Sequence, residues 1–130
     1  MARILLDSTV LIDALRGRPA AQRVAQLRRS GDEPWSCAIS VEEVWRGLRP
    51  DEEPIAHRLF RGLRIAPLGT TEGVLAGTWR RNHAARGITL HQADCLIAAA
   101  AVGIRATLAT ANMDDFPMPE LRVEHWPIGR

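Results

Sequence analysis

The sequence predicts an α/β fold: a three-layer sandwich with a mostly parallel central sheet of four to five strands. Short apolar segments of strand character, such as residues 3–7 and 106–109, alternate with longer segments of helical periodicity. One helical segment, residues 94–102, is apolar on all sides and must therefore pack between neighbours. Strands that alternate with helices are typical of a parallel sheet covered on both faces.

Glycine and proline mark the ends of the predicted elements, since glycine commonly follows a helix and proline cannot continue one. From the N-terminus the elements are a strand at residues 3–7, a helix ending near Gly17, a helix from Pro19 to Ser30-Gly31, a strand at 35–39 and a helix from Ser40 to Pro50. After them come a helix at residues 53–63, a strand at 64–68, a helix from Thr70 toward Gly87, the apolar helix at 94–102 with Gly103 as its cap, a strand at 106–109 and an edge strand at 122–124.

The length of 130 residues suits one hydrophobic core, so we expect residues 1–130 to form a single domain. The N-terminus lacks a signal-peptide layout, and no apolar run approaches the roughly 18 residues of a membrane span. Cys37 and Cys95 lie among apolar residues and are expected to be buried, unpaired thiols. These features predict a cytoplasmic protein with no membrane association.

All 17 basic residues are arginines, and the formal net charge is +2. The absence of lysine excludes a P-loop lysine, a Schiff-base lysine and the lysine partner of a phospho-aspartate enzyme. Arginine recognises phosphate in a planar, bidentate manner, which suits a nucleic-acid backbone. A general bias toward arginine codons explains the same composition equally well.

Four acidic positions each stand where an apolar segment stops. They are Asp7, Glu43, Asp94 and the cluster of Asn112, Asp114 and Asp115. In an open parallel sheet, ligands bind outside the carboxyl ends of the strands, where acids from different segments converge. Two unit charges about 4 Å apart repel by roughly 4 kcal/mol at an effective dielectric near 20. Converging carboxylates therefore predict a bound divalent cation.

Each acid also has a structural explanation, and locally that explanation is the stronger one. Asp7 and Asp94 stand at helix starts, where a carboxylate accepts from free amides or meets the helix dipole. Ser40 and Glu43 match a capping box, with Glu42 as a solvated neighbour. Acids of the last cluster suit a surface turn. The functional hypothesis therefore depends on the acids meeting in space.

Four segments resemble, in order and spacing, the four motifs of PIN-domain nucleases, and of the VapC toxins of prokaryotic type II toxin–antitoxin modules in particular. The segments are LLDST at residues 5–9, IS with EVWRG within 39–47, DCLIAA at 94–99 and LATANMDDF at 108–116. The resemblance extends from Ala2 to about Trp126. It implies a PIN-like fold and a metal-dependent endoribonuclease that hydrolyses RNA phosphodiester bonds as the toxin of such a module.

The resemblance implies that Asp7, Glu43 and Asp94 are metal-binding carboxylates, with Asp115 completing the catalytic set. At the fourth position many family members have an aspartate where this sequence has Asn112, so either Asp115 or Asp114 supplies the missing charge. Asn112 itself offers a neutral oxygen.

Carboxylate oxygens favour Mg²⁺ or Mn²⁺, which keep water ligands and bind substrate phosphate. The expected chemistry is attack of an activated water on phosphorus. The hydroxyl of Thr9 or Ser8 is a candidate for the outer shell of the metal, although helix capping competes for both. The histidines show no ligand spacing, which disfavours zinc, and each is expected to be solvated or structural; they are His57, His83, His91 and His125.

A carboxylate pocket repels RNA, so nearby cations must supply affinity. The candidates are Arg80, Arg81 and Arg86, or Arg16 and Arg18, although solvated helix faces explain them too. The resemblance further implies a structured RNA substrate, a homodimer and a cognate VapB-like antitoxin that inserts a segment toward the acidic pocket. An apolar groove for that segment, or else core packing, is formed by Trp45, Leu48, Leu59 and Phe60.

Three other functions compete with a toxin ribonuclease. One is a PIN nuclease of RNA processing or of DNA, and another is a binding module that kept the fold and lost its fourth acid. The third is a phosphatase or phospho-acceptor domain, which is weakened by the missing lysine and by the absence of an acid two residues after Asp7.

Overall fold

The computed structural model describes residues 1–129 and has an α/β architecture. The strands are β1 (Arg3–Leu6), β2 (Glu33–Cys37), β3 (Arg64–Ala66), β4 (Thr107–Thr110) and β5 (Arg122–His125). The helices are α1 (Ser8–Leu15), α2 (Pro19–Arg29), α3 (Ala38–Arg46), α4 (Glu53–Arg61), α5 (Thr70–Ala84) and α6 (Gln92–Gly103), with one 3-10 turn at Met113–Asp115.

The strands form one sheet in the order β3-β2-β1-β4-β5, and every neighbouring pair is parallel. Leu5 in the central strand pairs with Trp35 on one side and Leu108 on the other. The predicted mostly parallel sheet of four to five strands is therefore confirmed. Since all strands run in one direction, their carboxyl ends meet at a single edge, which we call the carboxyl edge; the opposite one is the amino edge.

Two hydrophobic cores cover the two faces of the sheet, which confirms the three layers. Leu5 points into a core built with α5 and α6, whereas Ile4 and Leu6 point into a second core with α1, α2 and α3. This alternation follows from the two-residue period of a strand. Because both faces are buried, β1 is apolar at consecutive positions.

The sequence predicts that the apolar helix at residues 94–102 is the most buried helix, and α6 in the structure confirms this. Cys95 and the residues 97–101 are at most 1 % exposed. The run of alanines lets the helix lie close to both the sheet and α5. No helix within residues 1–129 combines the length and the apolar character that a membrane crossing requires.

The predicted boundary between the second strand and the third helix is wrong by two residues. The strand ends at Cys37, and Ile39 and Ser40 already belong to α3. Ser40 is fully buried beside the Cys37 thiol, with Sγ and Oγ 3.8 Å apart. No side chain caps α3, so the predicted capping box with Glu43 does not form.

Other helix and strand ends also differ from the prediction. Helix α6 begins at Gln92, which moves Asp94 into the first turn rather than the cap position. Gly103 is the last helical residue, and the left-handed position after it is taken by Arg105, with φ of 56°. β3 ends at Ala66, and α4 ends at Arg61, each two residues before its predicted end.

Asp13 is a buried carboxylate that fastens the start of α2. It is 2 % exposed, and it accepts hydrogen bonds from the backbone N–H groups of Ala20 and Gly129 at 3.1 and 3.4 Å. The Ala20 amide is one of the free N–H groups of the first helical turn, so the carboxylate also acts on the helix dipole.

We expect Asp13→Ala to lower the free energy of unfolding by about 1–3 kcal/mol, because it leaves buried N–H donors without an acceptor. Urea unfolding followed by circular dichroism measures the change. Asp51→Ala removes an exposed carboxylate and serves as the control, with an expected change near zero. Equal stability of the two variants would contradict the structural role of Asp13.

Candidate active site

Asp7 lies directly after β1 at the carboxyl edge and is fixed by three donors. Its Oδ1 accepts from the Thr9 hydroxyl at 2.6 Å and from the Val10 backbone N–H at 3.1 Å. Its Oδ2 accepts from the Thr110 hydroxyl at 2.5 Å. The Val10 bond is the predicted N-cap of α1, which is confirmed. Thr110 ends β4, so its bond ties the two central strands together at the site.

Burial raises the pKa of Asp7, and the hydrogen bonds from Thr110, Thr9 and Val10 partly oppose that rise. The side chain is only 4 % exposed. The Thr9 backbone N–H also lowers the pKa, so the donors around this carboxylate come from the start of α1 and from the end of β4.

Asp94 is the residue whose pKa shows that the other acids are near. Burial, and after it the negative charges of Asp115, Glu43 and Asp7, raises its pKa to about 6, while His91 acts in the opposite direction. No hydrogen bond from residues 1–129 to this carboxylate offsets the burial. Acids from four separate segments therefore act on one another at the carboxyl edge.

Glu43 reaches this group from α3, which packs against α6. It is half-buried, whereas its neighbour Glu42 is exposed, as the sequence predicted. Since Ser40 is buried and the capping box is absent, the Glu43 carboxylate is not held at the start of its own helix.

The cluster after β4 forms the 3-10 turn and borders an open cleft of ≈ 540 Å³. The cleft is lined by Asn112, Asp114 and Asp115, together with His125 from the end of β5. Only Asp115 of this cluster is among the charges that raise the pKa of Asp94. Asp115 is therefore the acid of the cluster whose charge acts on Asp94.

The four acids interact through their charges without being packed into a closed shell. Within residues 1–129, no three His, Cys, Asp or Glu side chains are grouped in ligand geometry. The arrangement is an open rim of carboxylates with Asp7 as its fixed member. Such a rim offers oxygen donors to a cation and a route for solvent.

The histidines and cysteines take up different surroundings. His83 is buried, with its Nδ1 2.8 Å from the Trp79 carbonyl oxygen, and has the expected structural role. His57, His91 and His125 are exposed, although His91 stands next to the acids and His125 lines the cleft. Both cysteines are free and buried as predicted, and burial raises the pKa of each thiol.

The arginines predicted near the site differ in their contacts and exposure. Arg80 donates from Nε to the Leu90 carbonyl at 3.3 Å, which places it beside the start of α6. Arg81 and Arg86 are exposed at the same end of α5. Arg16, in contrast, is half-buried and pairs with Glu52 at 3.2 Å.

Arg18 is exposed and borders a smaller cleft that Thr9 and Arg16 also line. The two arginines differ in that the guanidinium of Arg16 is engaged by Glu52.

Sequence reasoning missed Thr110 and underrated His91. Thr110 is fully buried and holds Asp7, and its backbone oxygen accepts from the Trp126 N–H at 2.8 Å. The signal that could have indicated it is register: Leu6 pairs with Ala109, so the residues after them face each other. The register is a property of the tertiary structure and cannot be read from a local sequence pattern.

A family model described as PIN domain matches residues 4–117 of the chain. The chain belongs to the PIN domain family. Ribonuclease VapC19 of Mycobacterium tuberculosis is 35% identical over 127 residues, which cover 91% of this chain and 96% of the relative. Ribonuclease VapC10 of the same species is 35% identical over 122 residues, covering 90% and 88%. The resemblance to VapC proteins is thereby confirmed.

Solved structures show the same PIN fold. VapBC2 from Rickettsia felis, bound to a DNA fragment from its promoter, matches with a TM-score of 0.84 and 20% identity over 95% of this chain and 98% of that one. DNA-bound VapBC from Salmonella typhimurium matches with a TM-score of 0.82 and 21% identity over 97% and 99%. The PIN-like three-layer sandwich predicted from the sequence is confirmed.

The raised pKa of Asp94 predicts a pH-dependent difference between this PIN domain and its Asp94→Asn variant, without added metal. A raised pKa means that the carboxyl contributes stability below pH 4, and that this contribution is lost as pH rises through about 6. Above pH 6 we expect the free energy of unfolding of the variant to exceed that of the native chain by about 1 kcal/mol once solvent screening is allowed for, so the variant unfolds at the higher temperature.

Thermal unfolding in EDTA at several pH values measures this difference. Glu42→Gln removes an exposed charge from α3 and is expected to show no such trend. A difference between native and Asp94→Asn that is constant from pH 4 to pH 7 would contradict the proximity of the acids to Asp94.

Proposed function

We propose that the chain is a metal-dependent endoribonuclease that hydrolyses RNA phosphodiester bonds as the toxin of a toxin–antitoxin module. The observation that carries the proposal is that one edge of the parallel sheet brings together Asp7 after β1, Glu43 on α3 and Asp94 on α6. The 35% identity to ribonucleases VapC19 and VapC10, over about nine-tenths of the chain, supports RNA as the substrate.

The donor set supports Mg²⁺ or Mn²⁺ as the cofactor. The groups that act on Asp94 are mainly carboxylates, and the buried one, Asp7, is held in a fixed orientation by Thr110, Thr9 and Val10. Asp7, Glu43 and Asp94 would hold the ion, with Asp115 as the fourth acid and with Asn112 and Asp114 as further contributors. When bound, the cation would supply an activated water and stabilise charge on the leaving oxygen.

The protein's own groups orient the reaction. Thr110 and Thr9 fix both oxygens of Asp7, so the carboxylate is held before any ligand arrives. A bound cation would lower the pKa of Asp94 back toward its usual range, because its charge would offset those of Asp115 and Glu43.

Arginines beside the acids would hold the RNA backbone. Arg80 uses its Nε for the Leu90 carbonyl, which leaves the remaining guanidinium donors for a phosphate. Arg81 and Arg86 extend the positive charge along the same end of α5. These contacts position the substrate and carry no sequence information.

A cognate VapB-like antitoxin and a homodimer complete the proposal. The structures that match include VapBC complexes, and the resemblance to VapC toxins supports a cytoplasmic location. Between α3 and α4, the ring centre of Trp45 lies 5.8 Å from that of Phe60 in a tilted arrangement and 4.9 Å from that of His57, edge to face. Leu48 and Leu59 are half-buried against the second core, so this surface both packs inward and offers apolar area outward.

Cleavage of total cellular RNA with Mn²⁺ tests the function. Asp7→Asn, Glu43→Gln and Asp94→Asn are expected to reduce the rate by about a hundredfold or more, since each removes a charge that holds the ion. Asn remains a good N-cap, so Asp7→Asn retains the fold. Glu42→Gln is the matched control, and EDTA should abolish the native activity.

Equal cleavage by all variants would reject the site assignment. A native chain that binds RNA and cuts none would favour the binding module. A native chain that cuts DNA in preference to RNA would favour a nuclease outside toxin–antitoxin systems.

The fourth position is tested by comparing Asp115→Asn with Asp114→Asn. Because Asp115 and not Asp114 acts on Asp94, we expect Asp115→Asn to lose at least about tenfold in rate while Asp114→Asn stays within about twofold. Isothermal titration with Mn²⁺ gives a second readout. A larger loss for Asp114→Asn would transfer the role to that residue.

A further inference from the structure

A second cleft lies at the amino edge of the sheet, opposite the acids. It encloses ≈ 470 Å³ and is lined by three arginines, Arg3, Arg105 and Arg122, with Thr107 and Ile104 beside them. The register brings the arginines together, since Ile4 pairs with Thr107 and Thr107 pairs with Arg122. Among the described residues that line this cleft, none is acidic.

Arg3 is held in place before any ligand binds. Its Nη1 donates to the Ile104 carbonyl at 3.0 Å, and its Nε lies 3.5 Å from Glu33. The guanidinium also stands 5.5 Å from the ring centre of Trp35. These contacts leave the Nη2 donors available, in the planar fork that suits a phosphate group.

Arg105 occupies a backbone conformation that arginine does not favour. Its φ of 56° lies in the left-handed region, which glycine adopts at lower cost. The turn itself is closed by backbone bonds, from Arg105 N–H to Val102 and from Ala106 N–H to Ala101. What arginine provides at this position, and glycine would not, is a side chain that is exposed and lines the cleft.

An exposed strand joins the two clefts. β5 is the edge strand. Arg122 at its amino end lies in the cleft of the three arginines, which we call the basic cleft. His125 at its carboxyl end lies in the cleft lined by Asp114 and Asp115, which we call the acid cleft. Its four residues span roughly 13 Å at about 3.3 Å per residue. Between them, Glu124 accepts from the Trp126 indole at 2.8 Å, so its carboxylate is directed toward Trp126.

We propose that Arg3, Arg105 and Arg122 bind the phosphate backbone of the RNA segment that flanks the cleaved bond, along β5. This inference rests on the proposed ribonuclease function. RNA is favoured over an acidic protein segment because the acid cleft repels a polyanion, and the affinity must come from cations within reach of the same strand. Arginine forks on successive phosphates supply it without reading sequence.

The experiment measures binding of a long fluorescent RNA to the full chain in EDTA, which prevents cleavage. The double variant Arg105→Gly with Arg122→Ala is expected to bind roughly tenfold more weakly at low salt, and its slope of log K against log salt should fall by about 1.4, or 0.7 for each lost contact. With Mn²⁺ added, the loss should appear in KM for the long RNA.

Two controls separate this effect from net charge and from misfolding. Arg29→Ala with Arg58→Ala removes the same charge from exposed helix positions outside the cleft, and is expected to bind RNA as the native chain does. Arg105→Gly alone should raise the unfolding temperature, because glycine relieves the left-handed backbone, while it weakens RNA binding. Higher stability together with weaker binding is the result that a merely structural arginine would not give.

Each outcome decides between the two claims. If the native chain cuts RNA and the cleft variant binds RNA as tightly as the charge control, the cleft proposal is overturned and the ribonuclease stands. Arginine-dependent binding by a native chain that cuts nothing would support the cleft and reject the ribonuclease. Loss of binding to a poly-glutamate peptide, with RNA binding intact, would assign the cleft to an acidic protein segment and overturn the proposal.

Discussion

Repulsion among carboxylates at the carboxyl edge is the constraint around which this protein is arranged. Asp7 is fixed by Thr110, Thr9 and the start of α1, so it cannot turn away from its neighbours. The pKa of Asp94 is raised to about 6 by burial and by the charges of the other acids. A fold that holds acids in this way is less stable than one that spreads them, unless a cation is bound.

The parallel sheet makes this arrangement tolerable. Helices α1, α3 and α6 each begin at the carboxyl edge, where the positive ends of their dipoles meet negative charge. Asp7 caps the first of them, and Asp94 stands in the first turn of the last. Asp7 therefore both caps a helix and ties β4 to β1, through hydrogen bonds from Val10 and Thr110. The same topology places arginines at the opposite edge, so the molecule has two oppositely charged ends joined by β5.

Predictions from local sequence patterns were correct where the free energy of the structure depends mainly on residues that are neighbours in the chain. The N-cap at Asp7, the burial of α6 and the edge position of β5 were predicted from capping chemistry, apolar runs and prolines. The capping box at Ser40 failed because burial of Ser40 beside Cys37 overrides the cap preference. Gly103 failed as a cap for a similar reason: the turn closes two residues later, at Arg105.

By itself the sequence determined the α/β class, the order of the elements and the four segments that carry acids, because apolar periodicity and helix signals are local properties. Only the tertiary structure decided which acid of the last cluster acts on Asp94, that Thr110 holds Asp7, and that three arginines distant in the chain share a cleft. These depend on strand register and on the packing of α3 against α6. Register joins residues about a hundred positions apart, and the free energy that fixes it comes from the whole core rather than from the residues at the site.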